Sequence, residues 1–276
     1  MKEFPRFAAT CTPFGDLVEQ YDQMSGNVLD FSLPYEPSPA SSRGVRFDRT
    51  NDAVVIVAHV ASDVFEHKVS LCSGFAIDVP GHKNSVIVSC AHTLEMMRSN
   101  DVHKSPSAKS ATLIVTPSMQ IYPVSAMLSS LPRSDLVLYS LQTSLGSLAT
   151  LPVNPYPAPA GTSLRAHLVS LGGAPKPGRS WQTWTAGAIQ SHWAAGQVLS
   201  YRDRAGRESK PGTYDTLAHI LYSPIPTPGS SGGPIVDEES GAVIGMVTGH
   251  ERSNRVEGHR GFGTPAEAIF HVSKSC

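Results

Sequence analysis

Short apolar runs, broken by polar and turn residues, cover most of the chain after position 53. They are rich in valine, isoleucine and leucine and show no long helical period, which favours β-strands. The first set is AVVIVAHVA, KVSLCSGFAIDV, SVIVSC, ATLIVTP and DLVLYSL. The second set is SLRAHLVSL, WQTWTAGAIQSHW, TLAHILYS and GAVIGMVTG. The pattern predicts an all-β protein.

A proline-rich stretch separates the two sets. LPVNPYPAPAGT, residues 151–162, cannot form a continuous sheet ladder because proline has no N–H to donate, so we interpret it as a linker. The blocks on either side, residues 46–150 and 163–276, each hold about six short strands. They predict a pair of antiparallel six-stranded β-barrels with a cleft at their junction.

The two ends of the chain differ from the middle. Residues 1–45 contain LPYEPSPASS and little periodicity, which predicts an extended lead-in of unknown role. The closing TPAEAIFHVSK predicts a short C-terminal helix. In that helix Thr264 would be the cap, Pro265 would lie in the first turn and Glu267 would complete a capping box.

Charge and composition exclude several classes of partner. Lysine and arginine total 22 against 23 acidic residues, so no uniform field attracts nucleic acid or an anionic membrane. No stretch approaches the roughly 20 apolar residues of a membrane span, and the start lacks a secretion signal, so we expect a cytoplasmic or nuclear location. The four cysteines show no metal-ligand spacing, and we expect neither a metal nor a cofactor.

TPGSSGGPIVD, residues 227–237, places a pair of serines among three glycines. Such a string is either an ordinary tight turn or a site where another group approaches the backbone closely. GSSGGP resembles the G-x-S-G-G-P nucleophile loop of chymotrypsin-like serine proteases, in which the serine is Ser231. The resemblance implies a chymotrypsin-like fold and an oxyanion hole formed by the N–H groups of Gly229 and Ser231.

Two further positions match the same family. His92 in SVIVSCAHT has the setting of the family's histidine, and Asp135 in RSDLVLYSL has that of its aspartate. The order His, Asp, Ser is that of the chymotrypsin group. The resemblance thus implies His92 as general base and Asp135 as the residue that orients it. Asp101 is a rival to Asp135, whereas His59, His67, His167 and His219 are interpreted as core or surface residues.

The resemblance extends over residues 53–272 and is closest to the HtrA branch. CSGFAIDV, VSLGGAP, TAGAIQS, ILYSPIPTPGSSGGP and GFGTPAEAIF carry it. No PDZ-like stretch follows, so we expect no regulation by such a module. The function implied is a serine endopeptidase acting on a peptide or protein through an acyl-enzyme. The alternatives are an inactive relative that binds a peptide or protein without cutting it, and an esterase.

The family's register also implies a substrate-binding set. The pocket floor would be formed by Ile225 and Pro226. One wall would be the strand segment Thr248, Gly249 and His250, and the opposite wall would contain Gly261. The floor carries no anion, so cleavage after lysine or arginine should be poor. His250 narrows the pocket to small or medium apolar side chains or, alternatively, selects an acidic one, while Gly261 leaves its wall open.

Two departures from the family carry their own expectations. Ser230 occupies the place of the aspartate that receives the new amino terminus in trypsin-like zymogens, so activity should not require removal of residues 1–45. Cys72 and Cys90 should be neighbours across a hairpin. Relatives with a disulfide carry the second cysteine directly after the histidine, where this chain has Thr93, and we favour two buried thiols. The oligomeric state stays open.

Overall fold

The computed structural model describes residues 12–48, 50–63, 67–82, 84–99, 102, 108–141, 148–172, 189–254 and 258–272. Six strands form the first barrel: β1 Val54–Ser62, β2 His67–Ile77, β3 Val86–Cys90, β4 Lys109–Val115, β5 Ile121–Leu131 and β6 Leu136–Leu141. They close in the order β1-β2-β3-β6-β5-β4 with antiparallel pairing throughout. All five residues of β3 are buried, which explains why Ser89 is its one polar residue.

The remaining strands form the second barrel: β7 Ser163–Leu171, β8 Ile189–Arg202, β9 Glu208–Ser209, β10 His219–Ser223, β11 Pro234–Asp237, β12 Val243–Asn254 and β13 Gly258–Pro265. Their order is β10-β13-β12-β11-β7-β8-β9, and β10 also pairs with β8. This pairing closes six strands into a barrel, while the two-residue β9 is added to the edge of β8. The predicted all-β fold with two six-stranded barrels is confirmed.

The proline-rich stretch connects the barrels by touching both. Leu151 makes an isolated parallel bridge with Ile77 of β2, and Val153 makes one with Val243 of β12. Both linker side chains are buried. Pro152 between them and the prolines that follow have no N–H to extend either sheet, so the stretch passes from one barrel to the other without joining a ladder.

Three helices occur among the described residues: α1 Phe14–Gln23, α2 His92–Arg98 and α3 Glu267–Phe270. The short C-terminal helix α3 was predicted correctly. Its predicted cap was wrong, because Ala266 is the N-cap and Thr264 belongs to β13. The Thr264 hydroxyl instead donates to the carbonyl of Ser134, at 2.6 Å. None of these three helices is both long and apolar enough to cross a membrane.

The lead-in is more ordered than the sequence predicts. Helix α1 packs against the first barrel and buries Phe14, Leu17 and Tyr21 on one face. These residues follow a helical spacing, and the face that they form belongs to the core of the first barrel. The expectation of an extended lead-in is therefore wrong for residues 14–23.

Candidate active site

The strand register of the first barrel brings His92 and Asp135 together. Cys90, the last residue of β3, pairs with Leu136, the first residue of β6. The residues just beyond this pair, Ala91 and Asp135, are therefore adjacent although 44 positions separate them in the chain. His92 then begins helix α2, and its side chain faces the carboxylate.

Both carboxylate oxygens of Asp135 are used. Oδ1 accepts hydrogen bonds from the N–H groups of Ala91, at 2.9 Å, and His92, at 2.8 Å. Oδ2 lies 2.7 Å from Nδ1 of His92. Asp135 has a φ of 52°, in the left-handed region that aspartate tolerates better than most residues. The carboxylate is thus held by backbone and oriented toward one nitrogen of the ring.

This pairing changes the titration of His92. The hydrogen bond to Asp135 raises the pKa of the imidazole above its ordinary value, although partial burial acts in the opposite direction. A proton on Nδ1 that is donated to a carboxylate leaves Nε2 as the basic nitrogen of the neutral ring. The pair can therefore accept a proton at Nε2 and stabilise the resulting imidazolium.

Ser231 lies in the loop between β10 and β11, and the first barrel holds this loop from the other side. The N–H of Ser73 on β2 donates to the carbonyl of Ser231 at 2.7 Å, and its hydroxyl donates to the carbonyl of Gly229 at 2.9 Å. Sequence reasoning missed Ser73. Its only signal was a place in the CSGFAIDV stretch, which says nothing about a contact 156 residues away.

The Ser231 hydroxyl donates to the backbone carbonyl of Thr248, with an O–O distance of 2.9 Å. Within the part of the chain that the structure describes, no hydrogen bond joins Ser231 to His92. The structure thus brings together His92 with Asp135, and Ser231 with Thr248. Catalytic hydrogen bonds are often long or unformed before substrate binds.

The glycine-rich loop around Ser231 leaves two backbone N–H groups without an acceptor among the described residues. Gly229 has a φ of +92°, which an L side chain rarely adopts. Among the hydrogen bonds of the described residues, none is donated by the N–H of Gly229 or Ser231, whereas the intervening Ser230 N–H donates to Thr227. The side chain of Leu171, the last residue of β7, packs against Gly229. The two N–H groups can therefore donate to an oxygen that carries developing negative charge.

Ser230 is buried and bonded within its own barrel. Its hydroxyl accepts a hydrogen bond from the N–H of Val169 on β7, at 2.8 Å, and lies 3.0 Å from the hydroxyl of Thr227. These neutral groups leave the position without a charge. The loop is therefore fastened to β7 by hydroxyl hydrogen bonds and not by an ion pair.

The predicted substrate-binding residues differ in exposure. Ile225 and His250 are exposed, Pro226 is buried, and Thr248 and Gly249 are half-buried. The space beside Gly261 is filled by neighbouring atoms. A Cβ at Gly261 would lie 2.5 Å from the ring of Tyr222 and 2.7 Å from the carbonyl of Pro224. Glycine is required there for close packing.

Tyr222 is a residue that sequence reasoning missed. It pairs with Gly261 across β10 and β13 and is fully buried, and its hydroxyl has no hydrogen-bond partner among the described residues. Its ring lies where a Cβ at Gly261 would point. The apolar strand pattern of HILYS accounted for the burial of Tyr222, so no separate signal in the sequence marked its contact with Gly261.

Cys72 and Cys90 are buried free thiols. The hairpin register differs by one residue from the prediction, because Gly74 pairs with Ser89. The two sulfur atoms nevertheless lie near one hydroxyl: Oγ1 of Thr93 is 3.1 Å from Cys72 Sγ and 3.5 Å from Cys90 Sγ. Thr93, the residue that follows His92, thus contacts both thiols.

The other candidate residues divide into two groups. His59 is buried with Nδ1 bonded to Thr112, His167 is buried against Trp193, and His219 stacks on Phe262. Asp101 and the side chain of His67 lie outside the described residues. Among the residues that are described, no group of three or more His, Cys, Asp or Glu side chains could hold a metal ion.

Two closed barrels, with a histidine–aspartate pair on one and a glycine-framed serine loop on the other, define the class of chymotrypsin-like proteins. The chain belongs to the trypsin-like peptidase domain family, which it matches over residues 72–246. It is similar in fold to the crystal structure of Deg5, a member of the HtrA family, with a TM-score of 0.51 and 17% sequence identity. The match covers 81% of this chain and 88% of the Deg5 chain. Comparison with curated protein sequences gave no match.

Proposed function

We propose that the protein is a serine endopeptidase that uses His92, Asp135 and Ser231. The observation that carries the proposal is the 2.7 Å contact between His92 Nδ1 and Asp135 Oδ2. A serine hydroxyl is a weak nucleophile at neutral pH and requires a base, and this contact leaves the other ring nitrogen available for that role. Membership of the trypsin-like peptidase family supports the same roles.

The reaction then follows from the groups present. Oγ of Ser231 attacks the carbonyl carbon of a peptide bond while Nε2 of His92 takes its proton, and the N–H groups of Gly229 and Ser231 stabilise the oxyanion. The imidazolium gives its proton to the leaving amine, which departs and leaves an acyl-enzyme. Water attacks the acyl-enzyme with His92 again as base, releasing the acid and restoring Ser231.

One observation favours a second candidate function, a protein that binds a peptide without cutting it. The Ser231 hydroxyl donates to the Thr248 carbonyl and not to His92. If this bond persists when a peptide is bound, the nucleophile is never activated. In such a protein the predicted wall strand, Thr248 to His250, would pair with the peptide backbone.

Labelling by a fluorophosphonate separates the two candidates, because the reagent reacts only with an activated serine. We expect the wild-type protein to be labelled on Ser231, and Ser231→Ala and His92→Ala to remain unlabelled. Ser118→Ala, a change at an exposed serine of the first barrel, is the matched control and should retain full labelling. A folded wild-type protein that resists labelling would favour the binding protein.

The substrate side chain before the cleaved bond should be small or medium-sized and apolar. Ile225 carries no charge, His250 is exposed, and the ring of Tyr222 fills the space beside Gly261. A lysine or arginine side chain held there would find no acidic partner to offset the loss of its hydration. A positional-scanning peptide library should therefore show alanine, valine or leucine preferred over lysine or arginine. A preference for glutamate that is lost in His250→Ala would instead indicate that His250 selects an acid.

A further inference from the structure

Helix α1 is anchored on the strands of the first barrel. The N–H of Phe14 donates to the Ser110 hydroxyl on β4 at 2.9 Å, and the side-chain oxygen of Gln20 accepts from the N–H of Met127 on β5 at 2.8 Å. The ring of Phe14 packs edge-on against that of His59 inside the barrel. The helix is therefore attached to the first barrel both by hydrogen bonds and by the packing of its buried face.

The end of α1 contacts the helix that begins with His92. The Tyr21 hydroxyl donates to the Glu95 carboxylate at 2.6 Å, one turn after His92. Arg98 donates two hydrogen bonds to Asp22, each 2.9 Å long. The Asp22–Arg98 ion pair is about half exposed and should contribute little to the stability of this contact. Tyr21 is only 3% exposed, so its hydrogen bond to Glu95 is the better-ordered interaction between the two helices.

The same end of α1 contacts the segment that leads to Asp135. The Ser130 hydroxyl donates to the carbonyl of Tyr21 at 2.8 Å, and its N–H donates to the carbonyl of Met24 at 3.1 Å. The carbonyl of Ser130 accepts from the N–H of Gly26 at 2.8 Å. Ser130 lies near the end of β5, and only the turn Pro132–Ser134 separates that strand from Asp135.

We propose that residues 21–26, with Tyr21 as the positioning residue, hold helix α2 against the end of β5 and so fix His92 relative to Asp135. The inference rests on the proposed function, in which His92 is the base. Residues 21–26 would therefore support activity, and loss of their contacts would lower it. A propeptide has the reverse effect, because its removal raises activity. Besides Asp135, the carboxylate of Glu95 raises the pKa of His92, and the buried thiol of Cys72 is a further titratable group that acts on it.

Tyr21→Phe tests the proposal because it removes the bond to Glu95 and keeps the buried ring. We expect kcat for a peptide substrate to fall about tenfold with KM unchanged within about twofold, since a small displacement of a reacting group slows the chemical step. The pKa of His92, followed by NMR of its imidazole, should fall toward its ordinary value, because the bond to Asp135 that raises it loosens. A protein merely destabilised by the change would show neither effect well below its melting temperature.

Tyr122→Phe is the matched control, since Tyr122 is a buried tyrosine of the same barrel whose hydroxyl donates to Gln120. It should leave kcat and the His92 titration unchanged. Glu95→Ala, at an exposed position, removes the same bond from the other side and should lower kcat as Tyr21→Phe does, if Tyr21→Phe folds poorly. Only kcat is compared for Glu95→Ala, because loss of the Glu95 charge lowers the pKa of His92 by itself. Wild-type kcat and an unchanged His92 titration in a folded variant would overturn the proposal. If wild-type protein fails to react at Ser231, the proposed function fails, while the titration of His92 still decides the positioning role.

Discussion

Asp135→Asn is expected to lower kcat by about 10⁴-fold, the loss that asparagine causes at the orienting aspartate of a Ser-His-Asp triad. The asparagine side chain can still accept from the N–H groups of Ala91 and His92, so the local fold should persist. Its NH₂ group, however, would face Nδ1 of His92 and favour the tautomer in which Nε2 carries the proton. Steady-state hydrolysis of a peptide substrate measures the loss, and Asp203→Asn in the second barrel is the control.

The pH dependence of the residual activity should change as well. The bond to Asp135 raises the pKa of His92, and the neutral ring is the active base, so wild-type kcat/KM should decline as the pH falls through this raised pKa. Without the carboxylate the pKa falls toward its ordinary value, and the decline should move to lower pH. A loss of only a few-fold, with the acidic limb unmoved, would mean that another anion such as Asp101 orients the histidine.

Gly232→Ala is expected to have the second large effect, on both stability and activity. Gly232 has a φ of +86°, and a Cβ there would lie 2.0 Å from the carbonyl oxygen of Ser73. The backbone strain and the forced displacement together should lower the free energy of unfolding by about 2–5 kcal/mol. Because the adjacent Ser231 carbonyl accepts the Ser73 N–H, the same displacement should misplace the nucleophile and abolish fluorophosphonate labelling.

Urea unfolding measures the loss of stability, and Gly15→Ala is the control. A Cβ at Gly15 meets no atom within 4 Å, and the residue lies in the first turn of helix α1, so the change should be neutral or stabilising. A Gly232→Ala protein with wild-type stability and labelling would show that the loop can move away from Ser73 without cost.

Helix α1 shows why part of the fold was not predicted. Phe14, Leu17 and Tyr21 have helical spacing, but a ten-residue helix without a side-chain cap has little stability of its own. Its stability comes from packing on strands more than ninety positions later in the chain. One example is the hydrogen bond from the N–H of Phe14 to the hydroxyl of Ser110. Similarly, Thr264 matched a capping pattern, yet the barrel assigned its hydroxyl to a carbonyl 130 residues away.

The sequence by itself determined the strand pattern of the two barrels, because apolar runs and the turns between them are properties of neighbouring residues. The resemblance of its motifs to those of chymotrypsin-like proteases indicated the candidates His92, Asp135 and Ser231. Only the tertiary structure decided that the Ser231 hydroxyl faces Thr248, that the Tyr222 ring packs against Gly261, and that Tyr21 reaches Glu95. Each of these contacts joins residues from different strands, helices or loops. Their distances depend on strand register and barrel closure, which a local pattern does not encode.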